Sequence, residues 1–264
     1  MKKIMTLAAI FAAVMMGFSA CQPEDQPSTP GTEETPGTNE ETPGTNDETP
    51  GEEEDTFAIK IDGEYSDWEN LEGVQVATLP EGNVNYEQLK TFKLYADETF
   101  IYVFVEFDPE NTLVFVPYFD LDNNAATGTT SKWNGAGYEA KAEGSIFEEL
   151  ETEDGPAQGE VKKWDPTFYY YGEPETALAE GLAVTSSLPA AYNGGTNYAF
   201  EASILRELVI DSYAGIYADT KTDSFTLGMY QYDLNWSCIG QLPCKTMEQI
   251  EAGELETMLT VTLP

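Results

Sequence analysis

Short segments with alternating apolar and polar side chains recur along much of the chain, and turn residues separate them. Residues 57–61 and 197–204 show this pattern clearly. A period of two residues predicts β-strands, because successive side chains of a strand point to opposite faces of the sheet. Many short strands and almost no long helix indicate an antiparallel β-sandwich. We therefore predict an all-β fold with one or two short helices.

Two neighbouring segments predict the centre of this fold. Residues 89–95 and 100–107 form a predicted hairpin, and the second segment is apolar on both faces, as is typical of a central strand. Pro117 lacks an N–H, so we expect its strand to lie at an edge or to contain a bulge. We expect residues 147–159 to be irregular, and residues 204–210 and 246–252 to form short helical segments.

The first 20 residues have the features of a secretory signal peptide. Two lysines precede an apolar run over residues 4–18, and Ser19 and Ala20 come directly before Cys21. Residues 18–21 resemble the lipobox of bacterial lipoproteins, in which the cysteine becomes the lipidated N-terminus. The resemblance implies that Cys21 carries acyl chains that anchor the protein in a membrane. The alternative is an ordinary signal peptide with a chance cysteine.

Residues 21–56 combine the cysteine with an acidic segment that repeats Thr-Pro-Gly. The segment contains almost nothing that can bury apolar area, so we predict a disordered, extended linker. Residues 22–25 resemble an export signal that sends lipoproteins to the outer face of the outer membrane in some polysaccharide-degrading Gram-negative bacteria. An acidic solvated linker is the alternative explanation for these residues.

The charge balance restricts the possible partners and the possible chemistry. The chain has 48 acidic and 12 basic residues, a formal charge of −36, and no histidine. Such a surface repels nucleic-acid phosphates, attracts divalent cations and favours uncharged partners, so we expect no nucleic-acid partner. The absence of histidine excludes Ser-His-Asp and Cys-His catalysis and histidine-ligated zinc or haem.

An acidic loop follows the apolar segment 113–119. Asp120, Asp122 and Asn124 offer carboxylate and amide oxygens within five residues, and Thr127 and Gly128 close the loop. Calcium favours such oxygen ligands. The alternative is a solvated turn, because Asp, Asn and Gly dominate turns for local reasons, and the spacing lacks the Glu that closes an EF-hand loop.

Four stretches in order resemble the family 9 carbohydrate-binding modules and their wider sandwich superfamily. They are residues 61–68, with Asp-Gly followed by Asp-Trp, then residues 94–105, residues 119–139 and residues 198–208. The resemblance covers residues 57–264, which we take as one domain. It implies a β-sandwich of the jelly-roll type, structural calcium at Asp120, Asp122 and Asn124, and a sugar held between aromatic faces. Asp62 and Glu139 are candidates for further calcium ligands.

The aromatic residues that contact the sugar are not transferred by the resemblance, because the middle of the chain does not align with the family pattern. Sugars present C–H faces to aromatic rings and hydroxyls to polar groups. Trp133 and Trp164 lie among polar residues and are the candidates, together with Tyr169 and Tyr171. At least one residue of the Tyr169–Tyr171 run must face inward if the run is a strand. For Trp68 and Trp236, packing is the expected role.

Two further cysteines lie near the C-terminus. Cys238 and Cys244 are an even pair once Cys21 is lipidated, and outside the cytoplasm they are candidates for a disulfide. Two buried free thiols are the alternative.

These observations predict a lipid-anchored outer-membrane protein, exposed at the cell surface, that binds a neutral glycan without catalysis beside neighbouring glycan-uptake proteins. The first alternative is a structural or adhesion lipoprotein without a sugar site. Exposure of Trp133 and Trp164 on one face favours sugar binding, and burial of both favours the alternative. A glycosidase is the third hypothesis, because carboxylate pairs suffice for glycoside hydrolysis, but the excess of acidic residues singles out no pair.

Overall fold

The computed structural model describes residues 57–130, 132–170, 176–180, 184–211 and 223–264. All of these residues belong to one compact unit, Glu54–Pro264. The predicted signal peptide, the lipidation site at Cys21, the linker and Tyr171 lie outside the described residues.

Seventeen strands, labelled β1 to β17 in chain order, make up the described part of the fold. They are β1 (Gln75–Thr78), β2 (Leu89–Ala96), β3 (Phe100–Phe107), β4 (Thr112–Asp120), β5 (Thr129–Thr130), β6 (Gly137–Tyr138), β7 (Ala140–Ser145), β8 (Phe147–Thr152), β9 (Gly155–Val161), β10 (Thr167–Tyr170), β11 (Thr176–Glu180), β12 (Val184–Ser186), β13 (Ala190–Ala191), β14 (Tyr198–Leu205), β15 (Ser224–Asp233), β16 (Cys238–Leu242) and β17 (Leu259–Thr262).

These strands form two large antiparallel sheets. In the first sheet the order is β1-β2-β3-β14-β12, and β13 also pairs with β14. In the second sheet the order is β11-β10-β7-β4-β15-β16, and β17 also pairs with β15. The predicted all-β antiparallel sandwich is therefore confirmed. The predicted hairpin is also found, as β2 and β3.

The main core lies between the two sheets. Side chains that alternate along β3 and β14 face those that alternate along β4 and β15, so each strand contributes every second residue. Phe115 of β4 packs against Phe107 and Phe200 of the first sheet, with ring centroids 4.9 and 5.3 Å apart. Aromatic contacts thus join the two sheets, together with the aliphatic side chains of the same core.

Each sheet also has an apolar cluster on its outer face. On the first sheet, Ile59 and Trp68 from the N-terminal segment pack on Tyr102 and Phe104 of β3. On the second sheet, Val114, Val116 and Tyr118 of β4 pack with Tyr230 of β15 and with Trp133 from the loop between β5 and β6. Both faces of each sheet are therefore partly covered, and this explains why β3 and β4 are apolar on both sides.

A buried carboxylate fastens the N-terminal segment to the first sheet. Glu201 of β14 is fully buried. One of its oxygens accepts hydrogen bonds from the backbone N–H groups of Asp62 and Gly63, at 3.1 and 2.8 Å. The other oxygen accepts one from the indole N–H of Trp68, at 2.9 Å. The Asp-Gly…Asp-Trp motif of the sequence thus supplies the donors of this clasp, which comprises Glu201 and its three partners.

Short helical segments lie where the sequence predicted them, whereas the expectation for residues 147–159 is wrong. A π-helical turn covers Glu207–Asp211, and the helix α1 covers Met247–Glu251, with a capping box made by Thr246 and Gln249. Residues 147–159 are not irregular, because β8 and β9 pair as a hairpin. No helix among the described residues is long and apolar enough to cross a membrane.

Pro117 lies in the middle of the second sheet and not at an edge. Pro117 pairs with Met229 of β15, and the ladder between β4 and β15 is unbroken at this position. On the other side, the ladder with β7 is formed at Phe115 and resumes at Tyr118. The missing N–H of proline therefore falls where the ladder with β7 is interrupted, so a central strand tolerates it.

The clasp generates a stability prediction. In the Glu201→Gln variant, an NH2 group replaces one acceptor oxygen and faces the N–H donors of the clasp. We expect a loss of about 1–3 kcal/mol in the free energy of unfolding, because a buried donor loses its acceptor. Urea denaturation measures this loss. Trp68→Phe removes the indole donor and also shrinks a buried side chain, so it should destabilise the fold as well. An unchanged unfolding midpoint for Glu201→Gln would contradict the role of the clasp.

Candidate metal centre and outer aromatic face

Three carboxylates converge at one end of the second sheet. Asp120 is the last residue of β4, Asp122 follows in the loop, and Glu139 lies between β6 and β7. Each contributes an oxygen, and these oxygens lie within 4.8 Å of one another. Asp120 and Glu139 are buried, with 1% and 2% of their surfaces exposed. Pairing between β4 and β7 brings Glu139 to the acidic loop, because Ala140 is opposite Phe119.

Backbone N–H groups hold two of these carboxylates in place but leave one oxygen without a donor. Asp120 accepts hydrogen bonds from the N–H groups of Gly137 and Asn124, both at 3.2 Å. Glu139 accepts one from Leu121 through Oε2 at 2.8 Å. Its Oε1 is buried and has no hydrogen-bond partner among the described residues. An orphaned carboxylate oxygen in an acidic cluster is the arrangement that a bound cation would satisfy.

The electrostatics of the cluster favour the same conclusion. Burial, together with the charges of Asp122 and Asp120, raises the pKa of Glu139 to about 8. Burial also raises the pKa of Asp120. Close, desolvated carboxylates resist joint ionisation. A divalent cation removes that penalty, and calcium, which prefers oxygen ligands, fits the donor set. Asp120, Asp122 and Glu139 are therefore the residues that could hold it.

Asn124 and Asp62, the other two predicted metal ligands, lie in different parts of the fold. The N–H of Asn124 also donates to Asp122, at 3.0 Å, and its side-chain oxygen accepts the N–H of Ala126, at 3.1 Å. Asn124 therefore shapes the turn that carries Asp122, and its role as a metal ligand stays a prediction. Asp62 belongs to the clasp on the first sheet, so it is not part of this cluster.

The two tryptophans predicted to contact sugar are buried, and this prediction is wrong for both. Trp164 is 1% exposed and lies in the main core, where its indole N–H donates to the carbonyl oxygen of Gly144 at 3.1 Å. Trp133 is 2% exposed, and its indole N–H donates to the carbonyl oxygen of Pro243 at 2.8 Å. The polar residues that flank each indole in sequence turn outward while the ring itself folds inward. Neither ring can serve as a flat exposed platform.

Trp133 instead covers the outer face of the second sheet. A Cβ built on Gly228 of β15 would lie only 2.5 Å from the indole ring, so only glycine permits this approach. The ring lies 4.7 Å from the ring of Tyr230, between centroids. Trp133 is therefore a packing residue of the cluster that Tyr118 and Tyr230 share.

Tyr169 is placed differently from the tryptophans. It is half-buried on β10 and lies directly opposite Lys141 of β7, which in turn lies opposite Tyr118 of β4. Residues that pair in this way share one face of a sheet. Tyr169 is thus on the outer face of the second sheet, and the Lys141 ammonium lies 5.0 Å from its ring centroid.

Tyrosine rings continue across this outer face to an exposed tryptophan. The ring of Tyr118 is 4.6 Å from Tyr138 and 5.0 Å from Tyr230. Tyr232 follows Tyr230 at 5.9 Å, and Trp236 follows Tyr232 at 6.0 Å. We call these five residues, together with Tyr169, the aromatic face. Tyr138 and Tyr232 are half-buried, whereas Trp236 is 51% exposed.

The packing roles expected for Trp68 and Trp236 are therefore half right. Trp68 is buried in the clasp. Trp236 is exposed at the turn between β15 and β16 and not buried. Local sequence did not distinguish the two, because it does not show which aromatic residue of a hairpin lies at its tip.

The predicted disulfide is absent, because Cys238 and Cys244 are free thiols. The strand β16 is extended from Cys238 to Leu242, so it carries the chain away from Cys238 before Cys244 is reached. Each thiol has its own neighbour: Cys238 donates to the carbonyl oxygen of Gly240, and Asn83 donates to the sulfur of Cys244. Burial raises the pKa of Cys238 to about 11 and that of Cys244 to about 12, which favours the protonated thiols at neutral pH.

The comparisons with known proteins do not assign the chain to a family. No family model matches it, and no curated protein matches it. The acidic cluster and the aromatic face are therefore the two features of the structure that point to a function.

The acidic cluster generates a prediction about pH and calcium. Because burial raises the pKa of Glu139 from 4.5 to about 8, the folded metal-free protein retains a proton that the unfolded chain has lost. The stability from this proton is complete below pH 4.5 and is lost as the pH rises through 8. In chelator we therefore expect the melting temperature to fall between pH 5 and pH 8.5. Added calcium should raise it more at pH 8.5 than at pH 5, because calcium binds the ionised carboxylates.

Glu139→Gln is the matched control for thermal unfolding with and without calcium. It keeps the size of the side chain but removes the titrating group, so Glu139's share of the pH slope and most of the calcium response should disappear. Burial also raises the pKa of Glu201, which is unchanged in both proteins, so the difference between their slopes reports Glu139 together with its interaction with Asp120. Equal slopes and equal calcium shifts would contradict the site.

Proposed function

We propose that this chain is a lipid-anchored, non-catalytic binding protein at the outer surface of the outer membrane, and that it binds a neutral saccharide on its aromatic face. The observation that carries the proposal is the row of neighbouring rings that runs from Tyr138 through Tyr118, Tyr230 and Tyr232 to Trp236. Aromatic rings extend over β10, β4 and β15 to the turn before β16, and the rings of Tyr169, Tyr138, Tyr232 and Trp236 remain accessible to solvent.

The chemistry of the face suits an uncharged sugar. Aromatic rings offer apolar surface to the C–H faces of a sugar ring, and neighbouring polar groups bind its hydroxyls. The hydroxyl groups of Tyr118 and Tyr232 lie 3.1 Å apart and can each donate or accept. Lys141 and Glu143 form an ion pair of 3.1 Å next to Tyr169. The formal charge of −36 repels acidic ligands, which favours a neutral saccharide.

Calcium at the acidic cluster would support this face through Tyr138. The two neighbours of Tyr138 are both tied to the cluster: Gly137 donates to Asp120, and Glu139 supplies a carboxylate. The side chain of Tyr138 packs on Tyr118 of the aromatic face. A cation that fixes Asp120 and Glu139 therefore also fixes the backbone that positions the Tyr138 ring.

The direction of attachment is compatible with display at a surface. The clasp holds residues 62–68 against the outer face of the first sheet. The aromatic face belongs to the outer face of the opposite sheet. The N-terminal segment and the aromatic face therefore lie on opposite sheets, so an anchor at Cys21 is compatible with access of glycan and neighbouring uptake proteins to that face.

The positions of Glu139 and Glu201, two buried carboxyl groups whose pKa is raised, support the non-catalytic part of the proposal. Glycoside hydrolysis requires a pair of carboxyl groups on either side of the scissile bond. Glu139 lies at the second sheet and Glu201 in the first, and both oxygens of Glu201 are occupied by the donors of the clasp. They are therefore not such a pair.

A second candidate function is supported by a specific observation. The burial of Trp133 and Trp164 favours a structural or adhesion lipoprotein without a sugar site, because it removes two aromatic platforms. In that case the aromatic face would contact protein surfaces.

A polysaccharide-binding experiment separates the two functions. We expect the domain to be retarded by at least one member of a panel of neutral polysaccharides (starch, mannan, xylan and a mixed-linkage β-glucan) in affinity electrophoresis, and chelator to weaken the retardation. Tyr138→Ala should reduce the affinity about tenfold, because one stacked ring contributes roughly 0.5–1.5 kcal/mol beyond its buried area. Tyr95→Ala, on the outer face of the first sheet, is the control and should bind normally. No retardation by any polysaccharide with calcium present would exclude saccharide binding.

A further inference from the structure

Four non-glycine residues of the described chain have a positive φ, and one of them is a tryptophan. The other three are Asn111, Asn123 and Asn193. Asparagine tolerates the left-handed conformation because its short polar side chain can hydrogen-bond locally. Trp236, with φ of 60°, has no such advantage and is a bulky side chain in a conformation that favours glycine or asparagine.

The turn that holds Trp236 does not need a tryptophan. The carboxylate of Asp233 accepts the N–H groups of Asn235 and Ser237, both at 2.8 Å. The N–H of Trp236 donates to the carbonyl oxygen of Asp233 at 3.0 Å. The N–H of Asp233 donates to the carbonyl oxygen of Ser237, also at 3.0 Å. All of these bonds involve the backbone or the Asp233 side chain. Glycine or asparagine at position 236 would allow the same turn with less backbone strain.

Burial does not account for the tryptophan either. The other three tryptophans of the chain, Trp68, Trp133 and Trp164, are at most 3% exposed, and each donates its indole N–H to an acceptor. Trp236 is 51% exposed, and its ring contact is with Tyr232. Strain that the local fold does not require is an indication of function, and an exposed aromatic ring on a fixed turn is suited to ligand contact.

We propose that Trp236 is the principal ligand-contacting residue of the aromatic face, stacking its indole on the apolar face of a sugar ring, and that the fold accepts backbone strain to present it. Tyr232 supports the ring from one side, and the Asp233 bonds fix the direction of the turn. This inference rests on the proposed saccharide binding and names the residue that it depends on most. The strain is present in the free protein, so the site is formed before ligand arrives.

Two readouts test this inference, namely stability and binding. Trp236→Asn relieves the strain and removes the ring, so we expect the melting temperature to rise by about 2–4 °C. We expect the affinity for the polysaccharide that binds the wild-type protein to fall at least about tenfold. Trp236→Phe keeps a ring and the strain, so it should retain binding within about threefold and gain no stability. Asn193→Gly, which relieves a positive φ on the first sheet, is the control and should bind normally.

Tryptophan fluorescence supplies a direct measurement on the unaltered protein. Acrylamide quenches exposed indoles, and Trp236 is the one exposed tryptophan of four. The bound polysaccharide should therefore protect most of the quenchable emission, and Trp236→Asn should abolish that fraction.

The outcomes separate this inference from the function on which it rests. If Trp236→Asn binds as tightly as the wild type, the inference is wrong and saccharide binding elsewhere on the face survives. If the variant loses both binding and stability, Trp236 is a packing residue and the inference is also wrong. If the wild-type protein binds none of the polysaccharides, the proposed function fails and the inference fails with it.

Discussion

The burial of β4 on both faces is the constraint on which the rest of the structure depends. All nine residues of this strand are buried. Its inward side chains, Phe115 and Phe119, join the two sheets, and its outward side chains, Val114, Val116 and Tyr118, form the floor of the aromatic face. Its last residue, Asp120, begins the acidic cluster. Core, aromatic face and candidate metal centre thus share one strand, so a shift of its register would disturb all three.

The sequence was informative where local pattern determines structure. Alternation identified the strands, and the hairpin of β2 and β3 appeared where two apolar segments flank a turn. The acidic hairpin of β8 and β9 was missed, because its strands are mostly exposed and carry no apolar periodicity. Pro117 was assigned to an edge or a bulge because the sequence of one strand does not show where its ladder with an adjacent strand is interrupted, and hence where a backbone N–H is not required.

The candidate site shows the same limit more sharply. Asp120 and Asp122 are close in sequence and were recognisable, whereas Glu139 becomes part of the cluster through the pairing of β4 and β7. Trp133 was misassigned because its contact with Gly228 spans nearly a hundred residues of sequence. Trp236 was expected to pack, and its exposure depends on a turn closed by Asp233. Local sequence therefore identifies side chains with suitable chemistry, but long-range packing decides which of them reach the surface.

If the domain is anchored by its N-terminus as proposed, the clasp at Glu201 has a mechanical consequence. A pull on the linker acts first on residues 57–74, which precede β1 and are held by side-chain contacts and the three bonds to Glu201. If these yield, eighteen residues are released and the chain lengthens by up to about 60 Å. The ladders of both sheets and the main core stay intact during that extension. The N-terminal segment would then absorb the extension, and the sheet that carries the aromatic face would not bear the force.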